Sequence, residues 1–293
     1  MSTYVNPELI AETAWLADHL HDANLAVVDV RWPTAADRGG RAAYLEGHIP
    51  GAVYLDVTSD LADPDDPVAM QLAPPNRFAA AMSGAGIGDQ TIVVAYDDAG
   101  GTVAARLWWA LLFYGHRGAK VLNGGIRKWK AEGRSLTREA PSPPPAKFTA
   151  IPHPELRSTL EEVKAARHDD EVLILDARIA AQFRGEHAGG AQRAGHIPGS
   201  LNVPFTQTFM RGTQTLLPTD ELAALYERAG AFARRRVITT CGTGVAAAGA
   251  LFHLRLLGYD NASVYDGSWD EWSKHPELPA ATGEASDDAS GDQ

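Results

Sequence analysis

Cysteine is almost missing from this chain: Cys241 is the only one in 293 residues. A single thiol excludes an intramolecular disulfide and any zinc or iron–sulfur site made from several cysteines, and it fits a reducing cytoplasm. No metal and no cofactor are expected. Positive charge is also short, with 26 Lys and Arg against 37 Asp and Glu and a formal charge of −11. That balance gives no support to nucleic-acid binding, and it makes individual arginines notable wherever an anion is to be held. No apolar run reaches the length of a membrane span. The opening Met1-Ser-Thr-Tyr-Val-Asn-Pro7 has neither the basic nor the apolar region of a secretory signal. A cytoplasmic protein without membrane or nucleic-acid partners is therefore expected. Hydrophobic content of 45% and charged content of 22% suit a globular chain long enough for two domains.

The chain repeats itself. Gly47-His-Ile-Pro-Gly-Ala52 returns as Gly195-His-Ile-Pro-Gly-Ser200, and Leu25-Ala-Val-Val-Asp-Val-Arg31 as Val172-Leu-Ile-Leu-Asp-Ala-Arg178. Val121-Leu-Asn-Gly-Gly-Ile-Arg-Lys-Trp129 matches Val264-Tyr-Asp-Gly-Ser-Trp-Asp-Glu-Trp272. The three echoes keep their order about half the chain apart. That is a duplicated domain, since solenoid repeats have periods of roughly 20–50 residues.

Each half reads as a helix (7–20; 156–167), an apolar strand ending in Asp-x-Arg, a Gly/Pro loop, a short strand and another helix (78–82; 219–228). A central strand follows (91–96; 236–240), then a long apolar helix (103–114; 245–257) and a last strand. Alternating strands and helices predict an α/β fold in which each half is a parallel sheet with helices on both faces. Residues 134–154 hold Pro141-Ser-Pro-Pro-Pro145 and read as a stiff surface connector. The expected domains are 1–140 and 155–281, joined by a linker at 141–154 and followed by a disordered acidic tail at 282–293.

In such sheets the working loops lie at the carboxyl ends of strands, and there the thiol falls. Val237-Ile-Thr-Thr-Cys-Gly-Thr-Gly-Val-Ala-Ala-Ala248 is strand, tight loop, then helix. A thiolate at Cys241 would face backbone N–H groups and the positive end of a helix, an environment that stabilises negative charge. The competing role for a lone cysteine is that of a small apolar core residue, which needs no glycines around it. Setting the central strands side by side puts Asp97 of the first half where the second has Cys241. One half keeps the chemistry and the other has lost it.

Together with Arg106-Leu-Trp-Trp109 and Asp266-Gly-Ser-Trp-Asp-Glu-Trp272, these segments resemble the tandem-domain rhodanese superfamily of sulfurtransferases over roughly residues 5–280. The resemblance implies two tandem rhodanese-like domains, the first noncatalytic and the second catalytic. Cys241-Gly-Thr-Gly-Val245 is similar to the loop of 3-mercaptopyruvate sulfurtransferases. Thiosulfate-preferring relatives usually carry two cations where Gly242 and Thr243 stand here. The implied reaction moves sulfur from the small-molecule donor to Cys241, and from that persulfide to an acceptor thiol, cyanide or a thioredoxin-like protein. The alternatives are a thiosulfate:cyanide sulfurtransferase and a noncatalytic sulfur carrier or interaction module. Loop residues Gly242, Thr243, Gly244, Val245 and Ala246 are expected to hold the donor and the persulfide.

The chain departs from the pattern at the arginines that usually grip the donor carboxylate. One position reads Gln182-Phe183, and the segment carrying the other is shortened to Glu186-His-Ala-Gly-Gly-Ala-Gln-Arg193. Arg184 and Arg193 are the nearby substitutes, with Arg178 behind them, expected to pair with Asp176 or a loop carbonyl. The first-half histidine of a proton relay assigned to some relatives has no counterpart between Asp56 and Pro74. Other signals carry no site. Gly84-Ala-Gly-Ile-Gly88 precedes a strand and is a turn. A Cys-x5-Arg phosphatase loop would need arginine at Ala247. His48 and His196 read as structural, and Trp108-Trp109 as core or interdomain packing.

Overall fold

The computed structural model describes residues 3–32 and 40–284; all but the first three residues of the expected acidic tail lie outside them. The first half runs β1 (Ile10–Ala11), α1 (Thr13–His19), β2 (Leu25–Asp29), α2 (Gly40–Glu46), β3 (Val53–Tyr54), α3 (Pro75–Gly84), β4 (Ile92–Tyr96), α4 (Thr102–Phe113), β5 (Ala119–Leu122) and α5 (Gly125–Ala131). The second runs β6 (Arg157–Ser158), α6 (Leu160–Ala166), β7 (Val172–Asp176), α7 (Ala180–Phe183), β8 (Leu201–Asn202), α8 (Thr219–Arg228), β9 (Arg236–Thr240), α9 (Val245–Leu256), β10 (Ala262–Tyr265) and α10 (Ser268–Ser273). Each half forms a five-stranded parallel sheet, ordered β1-β5-β4-β2-β3 and β6-β10-β9-β7-β8. The order is the same in both, as the duplication requires.

Central strands of such sheets are buried on both faces. In β4, Val93 and Ala95 join a cluster with Leu107 and Leu111 of α4. Val94 and Tyr96 face Leu16 of α1 and Trp129 of α5. The expected opening helices at 7–20 and 156–167 are each shorter. Their first turns are 3-10 and feed the two-residue edge strands β1 and β6. Two residues are too few to show a strand period, so the edge was invisible in the pattern.

The halves share one core. Eleven of the twelve residues of α4 are buried, and α4 packs on α9 with Trp108 edge-on to Phe252 at 5.0 Å. At the crossing, Gly249 of α9 lies beside Thr102 with room for a Cβ at an ordinary 3.8 Å. The exchange of loops is reciprocal. Leu72 N–H donates to Asp266 Oδ2 (2.8 Å), and Leu216 N–H donates to Asn123 Oδ1 (2.9 Å). Asp266 and Asn123 hold equivalent places after the last strands. The connector lies against the first half: Phe148 is buried, and Thr149 N–H donates to Asp89.

One ion pair spans the interface with no exposure. Arg106 Nη1 lies 2.6 Å from Asp266 Oδ1, and Arg106 Nη2 donates to the Met70 carbonyl. Removing one partner leaves the other charged and dry, a loss of about 3–5 kcal/mol. Arg106→Met should therefore lower stability by that order. Arg106→Met/Asp266→Asn should fall well short of the two single losses added together, as read by urea unfolding.

Buried histidines set a second dependence. Tyr226 O–H lies 2.9 Å from His253 Nδ1, and burial depresses that imidazole to a pKa of about 3. Burial also lowers His116 and His196. The unfolded chain takes up these protons near the ordinary 6.5, which the folded protein refuses. The stability is thus complete above that value and lost as pH falls below it. Thermal unfolding of His253→Gln should show a shallower decline between neutral and acid pH than the parent.

Candidate active site

Cys241 follows β9 and is 3% exposed. The chain turns at once through Gly244, whose φ of +82° admits a side chain only with strain. A Cβ there would also come within 2.6 Å of Asp266 Oδ1 and 3.1 Å of Arg106 Nη1. The thiol loop is thus seated directly on the interdomain ion pair. The first turn of α10 grips it from the other side, as Trp269 N–H donates to the Cys241 carbonyl (3.0 Å) and Asp270 N–H to that of Gly242 (2.9 Å).

Ser268 was not foreseen. Its hydroxyl accepts from Cys241 N–H (3.1 Å), donates to the Tyr265 carbonyl (2.8 Å) and lies 3.9 Å from Sγ. It holds φ +52°, the conformation Gly125 adopts at φ +51° in the first half. A serine tolerates that backbone because its hydroxyl is used. The signal was present in the internal repeat, where Asn123-Gly-Gly125 faces Asp266-Gly-Ser268.

The first-half loop shows what the cysteine loop can hold. The Asp97 carboxylate accepts four backbone N–H groups: Ala99 and Gly101 on Oδ1 (2.9 Å each), Val103 and Ala104 on Oδ2 (2.7 and 2.9 Å). It is an anion in a cradle of amides at the start of a helix. In the second half, the N–H groups of Gly242 to Ala247 have no recorded acceptor among the described residues. Cys241 therefore sits in the same kind of cradle with its donors unspent.

A cleft of about 260 Å³ opens onto the thiol. The second half supplies Cys241, Gly242, Thr243, Val245 and Ala246, with Arg178, Gln182 and Phe205 beside them. The first half supplies Trp32, Asp98, Ala99, Thr102 and Val103. Four of the five expected loop residues line it; Gly244 turns beneath. Neither Arg184 nor Arg193, the expected donor contacts, lines it. Arg184 pairs with Glu186 (2.7 Å) and Glu284 (3.4 Å). Arg193 donates to the carbonyls of Trp272 and His275 and lies over Trp269. The shortened segment before Gly195 ties it to α10.

Arg178 is the guanidinium on the cleft wall. Its Nε and Nη2 bond Asp176, and Nη2 also reaches the Gly195 carbonyl. Arg31, Asp29 and Gly47 repeat this arrangement in the first half. The structural pairing expected of Arg178 is present, and Nη1 is left without a bond among the described residues. His48 and His196 face backbone as well, donating from Nδ1 to the carbonyls of Tyr44 and Phe183 and stacking on those same rings.

Two parallel-sheet domains sharing a cleft, with one thiol in an amide cradle, define a class of enzyme that carries an anionic adduct on cysteine. Residues 12–132 and 159–275 each match the rhodanese-like domain. The chain belongs to the rhodanese family, and it is a two-domain sulfurtransferase. It is 36% identical to the 3-mercaptopyruvate sulfurtransferase of Escherichia coli K12, over 90% of this chain and 95% of that one. Identity to the thiosulfate sulfurtransferase of Rattus norvegicus is 33%, over 94% and 96%. The crystal structure of the E. coli protein SseA, described as a 3-mercaptopyruvate sulfotransferase, superposes with a TM-score of 0.81 at 35% identity, covering 89% of this chain and 98% of that one.

The filled cradle makes its own prediction. Asp97→Ala strips four amides of their acceptor and should lower stability by about 3 kcal/mol or more, while Asp97→Asn, which keeps one acceptor oxygen, should lose about half as much. Urea unfolding of the two variants gives the comparison.

Proposed function

We propose that Cys241 takes sulfur from 3-mercaptopyruvate and passes it, as a persulfide, to a small thiol, cyanide or a protein dithiol. The observation that carries this reading is the pair of cradles. The amides that hold the Asp97 carboxylate have counterparts at Gly242 to Ala247 after Cys241, where no protein carboxylate meets them among the described residues. Amide donors fixed in place stabilise a thiolate and a persulfide anion without reorganising.

In the first half-reaction the Cys241 thiolate attacks the donor sulfur. The new S–S bond forms as the C–S bond breaks, and the electron pair of that bond stays on carbon as the enolate of pyruvate. In the second, an acceptor nucleophile takes the outer sulfur and Cys241 leaves as thiolate. With no second cysteine in the chain, the acceptor must come from outside. Donor choice follows from charge. Neither Gly242 nor Thr243 adds a cation, and among the described residues of the cleft wall Arg178 Nη1 is the guanidinium nitrogen placed to meet a carboxylate. One cation suits a monoanionic donor better than dianionic thiosulfate.

Intact mass after treatment with 3-mercaptopyruvate should rise by one sulfur atom, and Cys241→Ser should show no rise. Steady-state turnover with cyanide or a dithiol should favour 3-mercaptopyruvate over thiosulfate. Preference for thiosulfate would reverse the donor reading. Arg184→Ala should leave the donor KM unchanged, since its guanidinium is spent on Glu186 and Glu284.

A further inference from the structure

The reaction as written leaves a proton to be found. When the C–S bond of mercaptopyruvate breaks, the enolate carbon becomes pyruvate only by taking one up. No histidine lines the cleft among the described residues, and Cys241 is a thiolate at that moment. Among the described residues, the cleft wall holds one acid. Asp98, in the first-half loop, lines the cavity together with Cys241 and Thr243.

Asp98 differs from the other carboxylates of this region. Asp29 and Asp176 are bound to arginines, Asp266 is paired with Arg106, and Asp97 is held by four amides. Asp98 makes no ion pair among the described residues and is half-buried. Burial pushes its carboxyl above the usual range, and the adjacent Asp97 charge pushes it further; Arg31 and Arg127 pull the other way more weakly. Arg178 and Cys241 are the charged and titratable groups that share the cleft from the second half. A carboxyl so placed stays protonated to higher pH than a solvated one.

We propose that Asp98 is the catalytic acid that protonates the leaving carbon of the donor. The proposal rests on the mercaptopyruvate reading. The Cys241 thiolate, the donor thiol and protonated Asp98 give Cys241–S–SH, pyruvate and the Asp98 carboxylate. The persulfide proton then returns to Asp98, leaving the persulfide anion in the amide cradle. Atoms and charge balance without a further reactant.

The two donors separate this role from others, because sulfite leaves thiosulfate without needing a proton on carbon. Asp98→Asn should lower kcat for 3-mercaptopyruvate by about 100-fold, the scale of general acid catalysis. Turnover of thiosulfate should hold or rise, since a negative charge has gone from its path. The parent should lose mercaptopyruvate activity as pH climbs through the raised Asp98 value. That limb should vanish in Asp98→Asn and reappear, with part of the activity, in Asp98→Glu. An unchanged kcat for mercaptopyruvate in Asp98→Asn overturns the proposal. So does an equal fall for both donors, which marks a structural role. A parent enzyme inert toward mercaptopyruvate removes the donor reading, and the Asp98 role with it.

Discussion

The buried pair between Arg106 and Asp266 is the constraint on which the rest of the structure depends. Two charges with no exposure are tolerated only because each meets further partners: the Met70 carbonyl and the Trp109 face for Arg106, Leu72 N–H and Arg157 for Asp266. These contacts fix α4 of one half against the β10–α10 turn of the other. The same turn carries Ser268 and the amides that grip the cysteine loop. Gly244 then rests on the pair itself, so the placing of the thiol and the docking of the domains are one problem with one solution.

Duplication explains the rest of the site. Both halves build a strand, a tight loop and a helix start, and both aim backbone N–H groups at the residue that ends the strand. In the first half that residue is Asp97, and the cradle is satisfied by its own side chain. In the second it is a thiol, which is too short to consume the donors and leaves them for whatever anion it carries. The first-half loop is therefore a picture of the second with its amides satisfied. It contributes more than scaffold, because the residue after Asp97 lines the cleft together with Cys241.

Much of this was legible in the residues. The repeated Gly-His-Ile-Pro-Gly and Asp-x-Arg segments gave the duplication, and the period of α4, α8 and α9 placed them within a residue or two. The strand, turn and helix around Cys241 could be read from the glycines that surround it. Arg184 and Arg193 are near Gln182 in sequence, but in the fold local carboxylates and carbonyls hold them. Edge strands of two residues carry no period, so β1 and β6 were hidden in helices. Ser268 and Asp98 were hidden differently. Ser268 meets Cys241, and Asp98 reaches the shared cleft, only through the fold; only the comparison of Gly125 with Ser268 left a trace along the chain.

The reciprocal exchange of loops governs access. Each half lays a segment over the end of the other's sheet, and a shared core joins α4 to α9 beneath. Opening the domains like a book would bare the Arg106–Asp266 charges and part the Trp108–Phe252 contact. The two walls of the cleft are therefore held at a set spacing by the same contacts that join the halves, and whatever enters has to fit between them as they stand.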